Sequence, residues 1–316
     1  MACECTLIAL GYSFLAYIAY RLLTSFYNIF YPYLLATPAD LHQKAGAKWA
    51  VVTGSTDGIG KQYAIELARK KFNVLLVSRT QSKLDDTKKE ILETAKEVEV
   101  RTFAFDFGSS TTADYKPLLD VLAGLEIGVL VNNVGMSYEY PEVLHAVHGG
   151  LDRIAHITTI NTLPPTLLSA AVIPQMLPRH AGVIINISSA ASYNLMSHWA
   201  VYSATKKYVT WLSNTLRLEY EDKGITVQTI CPMLVATKMS KIRRTSFFGP
   251  DAVKFVNSAL RTIGIVPETT GYLSHQMQVE LLNALPAWLV QKLILNHSIA
   301  TRAAALRKRD RENKDQ

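Results

Sequence analysis

Between residues 49 and 232 six short apolar runs recur: WAVVTG, NVLLVSR, VRTFAFDF, IGVLVNNVG, GVIINISS and ITVQTICP. A strand with one wet face alternates apolar and polar residues. These runs are near-continuously apolar, so both of their faces have to be covered. The stretches between them, such as KQYAIELARKKF, QSKLDDTKKEILETAKEV and SATKKYVTWLSNTLRLEYEDKG, have the charge and apolar spacing of surface helices. Buried strands joined by helices dictate an α/β fold, a doubly wound parallel sheet, expected as one domain over residues 41–270. No repeat or low-complexity linker breaks residues 48–270. A ligand of such a sheet is expected at the carboxyl ends of its strands.

The chain is more apolar than that core requires: 49% of its 316 residues are hydrophobic and only 19% charged. The excess has two addresses. Residues 6–20 (TLIALGYSFLAYIAY) and 22–36 (LLTSFYNIFYPYLLA) carry Arg21 between them as their only charge. That is about twice the length of a signal-peptide core. As one tilted helix it spans ~30 Å of hydrocarbon, Arg21 reaching toward a headgroup region. A hairpin broken near Arg21 or Pro32 is one alternative, and a buried helix pair another. Tyr17, Tyr20, Tyr27, Tyr31 and Tyr33 suit interfacial depth, and residues 1–40 are expected to form a membrane anchor. Lys44 and Lys48 after the segment, against Glu4 before it, put the main domain on the cytosolic side. Cys3 and Cys5 stand where S-acylation occurs, or remain plain thiols.

The second address is residues 271–316. From Gly271 to Ile299 charges are few, and Pro286 divides the stretch into two pieces, each too short to span. Apolar helices lying on the bilayer or over a pocket are expected, followed by a solvated basic tail, RAAALRKRDRENKDQ. Lys314 has no lysine beside it, so a dilysine retrieval signal is incomplete. The net charge of +7 raises nucleic acid as a partner, but no binding module or basic, aromatic-interleaved stripe supports it. With Cys231 the cysteines number three, which gives neither a disulfide framework nor a metal site.

The first run ends in Gly54-Ser55-Thr56-Asp57-Gly58-Ile59-Gly60, directly before a helix. Glycines there permit a tight turn and close approach to a pyrophosphate, while the helix N-terminus offers N–H donors and positive potential. The second run ends with Ser78 and Arg79, where a cofactor with a free 2′-hydroxyl would want a carboxylate. A guanidinium there pairs with a 2′-phosphate, which favours NADP(H).

Further on, Ser189 closes the fifth run, and Tyr202 and Lys206 stand four apart on one helix face. An ordinary phenol, with a pKa of about 10, exchanges protons poorly at neutral pH, and a neighbouring ammonium is expected to lower it. Ser189, at a strand end, is placed to donate to a substrate carbonyl.

These motifs together resemble the short-chain dehydrogenase/reductase family, with its Rossmann-type sheet, over about residues 48–240. LHQKAGAKWAVVTGSTDGIGK, CPMLVATKMSKIRR and LPAW extend the resemblance to the membrane-bound 17β-hydroxysteroid dehydrogenase branch, types 3 and 12, which includes very-long-chain 3-oxoacyl-CoA reduction. The resemblance implies roles residue by residue. Tyr202 is the proton donor, Lys206 its partner and the holder of the nicotinamide ribose, Ser189 the group orienting the carbonyl, and Asn161 the keeper of a relay water. Asp106 is placed to contact adenine, Asn133 and Gly135 lie in the family's NNAG (here NNVG), and Val235 and Thr237 grip the carboxamide. Met233 replaces the usual glycine after Pro232.

The implied reaction is NADPH-dependent reduction of a lipid ketone, a 3-oxoacyl-CoA first and a steroid 17-ketone second. An NADP-binding scaffold with little chemistry is a third reading. Tyr193, Met196, Trp199, Met233, Phe247 and Phe248 are candidate pocket walls. Lys238, Lys241, Arg243 and Arg244 are candidates for coenzyme A phosphates or for a basic face against the membrane. The family's paired helices imply a homodimer, and the branch implies the endoplasmic reticulum, with mitochondrion and lipid droplet as alternatives.

Overall fold

A computed structural model of the chain describes residues 2–108, 111–240, 242 and 244–314, with side chains from residue 5 to residue 313. The first helix, α1 (Ala2–Phe30), runs unbroken through Arg21 into a wide turn, Tyr31–Leu35, that buries Pro32 and Tyr33. Its apolar stretch, Cys5–Leu35, is long enough to cross a membrane, and the most apolar window is unburied. One continuous helix, its most apolar window unburied, replaces both the hairpin and the buried pair.

After α2 (Leu41–Ala45) the chain alternates as the apolar runs require. The first half holds β1 (Trp49–Thr53), α3 (Gly58–Arg69), β2 (Asn73–Ser78), α4 (Gln81–Thr94), β3 (Val100–Ala104), α5 (Thr112–Ala123) and β4 (Ile127–Asn132). The second holds α6 (Gly150–Met176), β5 (Gly182–Ile187), α7 (Ala200–Tyr220), β6 (Ile225–Ile230), α8 (Ala252–Arg261) and β7 (Glu268–Thr269). Two helices close the chain, α9 (Leu273–Ala284) and α10 (Ala287–Lys314), parted at Pro286 as expected.

The seven strands form one parallel sheet in the order β3-β2-β1-β4-β5-β6-β7. Successive strand residues feed opposite layers, which is why the runs are apolar throughout. Val52, Leu76, Val131 and Ile185 pack with α3 and α8 on one face, and Val51, Leu75, Leu130 and Ile184 with α5 and α6 on the other. Strand order reverses between β1 and β4, and the crevice at that reversal is where such sheets bind ligands.

Three features go beyond the sequence expectation. The seventh strand, β7, is too short to show as an apolar run; Thr229 and Cys231 define it by donating to the Pro267 and Thr269 carbonyls. Helix α6 continues through Pro164 and Pro165, both buried, since packing outweighs the local break. The C-terminal segment from Arg302 is helical rather than a free tail. Arg302 pairs with the buried Glu142 carboxylate (2.6 Å) and Arg309 donates to the Tyr140 hydroxyl (3.0 Å). Its Ala, Leu and Arg content favours helix, and a buried carboxylate demands a cation.

A polar row also crosses the sheet interior. Asn132 donates to Asn186 (2.8 Å), Asn186 to Ser213 (2.8 Å), and Ser213 to the Val209 carbonyl (2.6 Å). Asn186→Ala leaves the Asn132 amide short of an acceptor and removes the donor to Ser213. It is expected to lower unfolding free energy by about 2–4 kcal/mol, read from denaturant melts in detergent.

Candidate active site

At the reversal point Thr53 ties two strand ends together. Its hydroxyl donates to the Val131 carbonyl (3.2 Å) and accepts from the N–H groups of Asn133 and Val134 (3.0 Å each). The Asn133 amide then donates to the carbonyls of Thr53 (3.0 Å) and Gly54 (3.2 Å). Asn133 therefore braces the glycine turn from beneath. Thr53, which the sequence reading passed over, is the hub of this network; its only signal was a hydroxyl directly before Gly54.

Above the brace, Gly54 and Gly58 adopt left-handed backbone (φ +63° and +54°), which side chains resist. An added Cβ at Gly60 would collide with the Asn133 amide and the Gly54 carbonyl. Ser55 is buried, its hydroxyl on the Val77 carbonyl (3.4 Å), and Thr56 bonds Ser78 across to β2 (3.0 Å). Asp57 caps α3 by accepting from Gly58 N–H (2.7 Å), and Ile59 packs into the core. The first turn of α3 thus faces the crevice as backbone, its other N–H groups without helical acceptors.

The remaining expected residues surround this turn. Arg79 is exposed at the end of β2. Asp106 lies just past β3, its carboxylate accepting from Gly108 N–H (2.9 Å). Val235 is buried, and Thr237 approaches Gly58 so closely that a Cβ there would lie 3.1 Å from its methyl. Lys238 pairs with Asp57 (2.9 Å), directly at the helix start. Arg244 is exposed, while Lys241 and Arg243 fall outside the described residues, as does the Cys3 side chain; Cys5 is exposed.

These features fit a phosphorylated dinucleotide: a flat backbone cradle that a Cβ would fill, an open helix N-terminus, and no acid at the β2 end.

Beside the cradle, four side chains converge. Asn161, buried on α6, accepts from Met136 N–H (2.8 Å) and donates to the Met136 carbonyl and to Thr205 (2.9 Å each). Pro165 has no N–H to close on the Asn161 main-chain carbonyl one turn back, which leaves that carbonyl open to another donor. An added Cβ at Gly135 would lie 3.1 Å from Asn161 Oδ1 and 3.4 Å from Lys206 Nζ. Ser189 caps a short turn after β5 and is hydrogen-bonded to the Tyr202 hydroxyl. Lys206 Nζ donates to the Ile187 carbonyl (3.0 Å) and stands 5.9 Å from the Tyr202 ring centroid.

The electrostatics differ from the sequence expectation. Burial raises the Tyr202 pKa above its ordinary value, and the Ser189 hydrogen bond offsets only part of that. Lys206 is not the dominant influence on the phenol; its own pKa is pushed down to about 8, by burial above all. Tyr202 is therefore a neutral phenol at physiological pH, the form that can give a proton.

The expected pocket walls separate. Trp199 stacks on Tyr138 (5.6 Å) and meets Tyr202 edge-on (6.2 Å), next to the chemistry. Tyr138 reinforces this by accepting from Val201 N–H (3.1 Å), and Glu142 N–H donates to the His198 carbonyl (2.9 Å). Met196 helps shape the same loop, its carbonyl accepting from Trp199 N–H (3.1 Å). Met233 N–H donates to His275 (3.3 Å), and Phe247 and Phe248 form an exposed edge-on pair (5.1 Å). Tyr193 turns away, hydrogen-bonded to Cys231 and Glu268, and lines a polar cavity of about 210 Å³ with Asn28, Gln276 and Glu280.

The short chain dehydrogenase family model matches residues 48–246. A very-long-chain 3-oxoacyl-CoA reductase of Caenorhabditis elegans is 64% identical over 316 residues, covering 100% of both chains. Another Caenorhabditis elegans protein, provisionally named steroid dehydrogenase 1, is 53% identical and covers 91% of this chain and 92% of its own. A solved short-chain dehydrogenase from Sphingobium yanoikuyae, in complex with NADPH, is 30% identical. It covers 67% of this chain and 82% of its own, at a TM-score of 0.60.

Lys206 yields a test independent of turnover. A lysine whose pKa falls from 10.5 to about 8 on folding weakens the fold fully below pH 8 and not at all above 10.5. Unfolding free energy of the free enzyme, relative to Lys206→Met, is expected to rise between those limits, by on the order of 3 kcal/mol. Parallel pH profiles for the two proteins would exclude the buried ammonium.

Proposed function

The chain belongs to the short-chain dehydrogenase family of oxidoreductases, and on that premise we propose that it reduces a lipid ketone with NADPH, the 3-oxo group of a very-long-chain 3-oxoacyl-CoA before any other. The observation that carries the reaction type is the convergence of Asn161, Ser189, Tyr202 and Lys206 beside the glycine cradle. The full-length identity to a 3-oxoacyl-CoA reductase supports the substrate.

In this reading Gly54 through Gly60 receive the pyrophosphate at the α3 N-terminus, Arg79 the 2′-phosphate and Asp106 the adenine. Asn133 and Gly135 shape the floor, Val235 and Thr237 hold the carboxamide end, and Lys206 and Tyr202 hold the nicotinamide ribose. When bound, NADPH supplies the hydride for the carbonyl carbon. The protein's part is proton and charge management. Ser189 donates to the substrate oxygen and stabilises its developing charge, while Tyr202 transfers its phenolic proton to that oxygen. The Lys206 ammonium, with a pKa of about 8, is acidic enough to help restore that proton. The Asn161 carbonyl left open by Pro165 suits a water that completes the relay.

The apolar length of α1 supports a membrane anchor that keeps the site beside its lipid substrate. In this reading the catalytic domain is cytosolic, by the lysines that follow α1, and the membrane is that of the endoplasmic reticulum, by the resemblance to the 3-oxoacyl-CoA reductase branch. Trp211 and Leu218, exposed on α7, support a homodimer. A steroid 17-ketone is the second substrate reading, favoured by the relative provisionally named a steroid dehydrogenase.

Purified protein with NADPH should turn over long-chain 3-oxoacyl-CoA faster than a steroid 17-ketone; the reverse order would install the steroid reading. Tyr202→Phe is expected to keep NADPH binding and lose about 10²–10⁴-fold in kcat. Unchanged ketone reduction would sink the assignment, and NADPH-dependent thermal stabilisation without turnover on either ketone would leave a scaffold. Arg79→Ala should raise KM for NADPH about tenfold and leave KM for NADH nearly unchanged.

A further inference from the structure

Helix α1 is clasped along α9 by polar contacts that run in opposite directions along the two helices. Tyr33, just past α1, bonds Thr269 and Thr270 before the start of α9. Ser25 (2.8 Å) and Asn28 (2.9 Å) donate to the Glu280 carboxylate. Arg21 donates to the Asn283 carbonyl (3.3 Å) in the last turn of α9, and to the Tyr17 hydroxyl (3.1 Å). The pairing is antiparallel, so the corner between α9 and α10 lies level with Arg21.

That level is fixed by length. From Cys5 to Tyr20 a helix rises about 24 Å. The hydrocarbon core is ~30 Å thick. A spanning α1 therefore carries Arg21 below the cytosolic boundary, where an arginine has to be paired. Its partner is the carboxyl end of α9, whose last carbonyls lack helical donors and carry the negative end of the helix dipole. The corner itself suits that depth. Residues 281–291, LLNALPAWLVQ, contain no charge, while Leu281 and Trp288 are 65% and 67% exposed. The acid that precedes them, Glu280, is turned inward onto Ser25, Asn28 and Gln276.

We propose that the α9–α10 corner is a second membrane-inserted element, seated in lipid beside α1 at the depth of Arg21. It does not cross the bilayer; it enters from the cytosolic side and turns back at Pro286. The inference rests on α1 being the anchor.

The test is tryptophan fluorescence of the full chain in phosphatidylcholine vesicles whose acyl chains are brominated, against unbrominated vesicles. Trp288→Phe is expected to remove at least half of the lipid-dependent quenching, and Trp211→Phe, at an equally exposed site on α7, to remove almost none. Equal quenching in wild type and Trp288→Phe overturns the inference, as does a Trp288 protected because a second copy covers the corner. Carbonate extraction separates the two readings. A released chain loses the anchor and the corner together; a retained chain with an unquenched Trp288 loses only the corner.

Discussion

The site depends on one hydroxyl. The ladder between β1 and β4 ends at Val52 and Val131, and beyond it the chain has to leave the two strand ends toward opposite sides of the sheet. Thr53 ties those ends by accepting two N–H groups from the β4 end while donating to the Val131 carbonyl. The Asn133 amide then reaches beneath the glycine turn, and Gly60 has no Cβ because that amide already fills the space. The turn and the asparagine strand end, read separately in the sequence, are one bonded unit. The same end of β4 leads through Gly135 into Met136, whose main chain holds Asn161, and so relates the glycine turn to Ser189, Tyr202 and Lys206.

Burial sets the chemistry of the second half. The phenol of Tyr202 and the ammonium of Lys206 are both driven toward their neutral forms by desolvation, so the phenol pKa rises while the ammonium pKa falls below it. In water the two groups sit near the same value and far above neutrality. In the fold the lysine becomes the stronger acid of the pair, so a proton passes more readily from the ammonium to a tyrosinate than the reverse. Ser189 works against desolvation at the phenol only in part. A neutral phenol, an ammonium more acidic than it and a serine hydroxyl bonded to the phenol support the carbonyl reduction proposed for the chain.

The sheet was legible because both faces of the central strands β1, β2, β4 and β5 are covered, leaving continuous apolar runs that few other structures require. The glycine turn and the Tyr202–Lys206 spacing were legible because each is a local geometry, a turn and one helical repeat. What escaped the sequence was tertiary. β7 is defined by what β6 donates to it rather than by its own residues. Helix α6 persists through Pro164 and Pro165, and the missing N–H of Pro165 opens the Asn161 carbonyl. Arg302 looked like one of several tail cations until the fold placed the buried Glu142 against it. The balance at Tyr202 was misjudged because spacing shows that a cation is near, whereas only packing shows how much water has been removed.

Helix α9 connects α1 to the loop that follows β6. At its first turn Ser274 donates to the Phe247 carbonyl (2.6 Å), and His275 accepts from Met233 N–H (3.3 Å). Burial holds the His275 pKa down to about 4, so the imidazole stays neutral and keeps that acceptor through the physiological range. Both contacts hold the loop that follows β6, which also carries Val235 and Thr237 to the glycine turn. The other end of α9 receives Arg21 from α1. A helix of this length is a strut of about 18 Å, and it has polar bonds at both ends rather than a flexible linker at either. Helix α1 therefore sets the height and tilt of the loop that follows β6, because any rotation of α1 against the sheet would have to break the Glu280 and Asn283 contacts together.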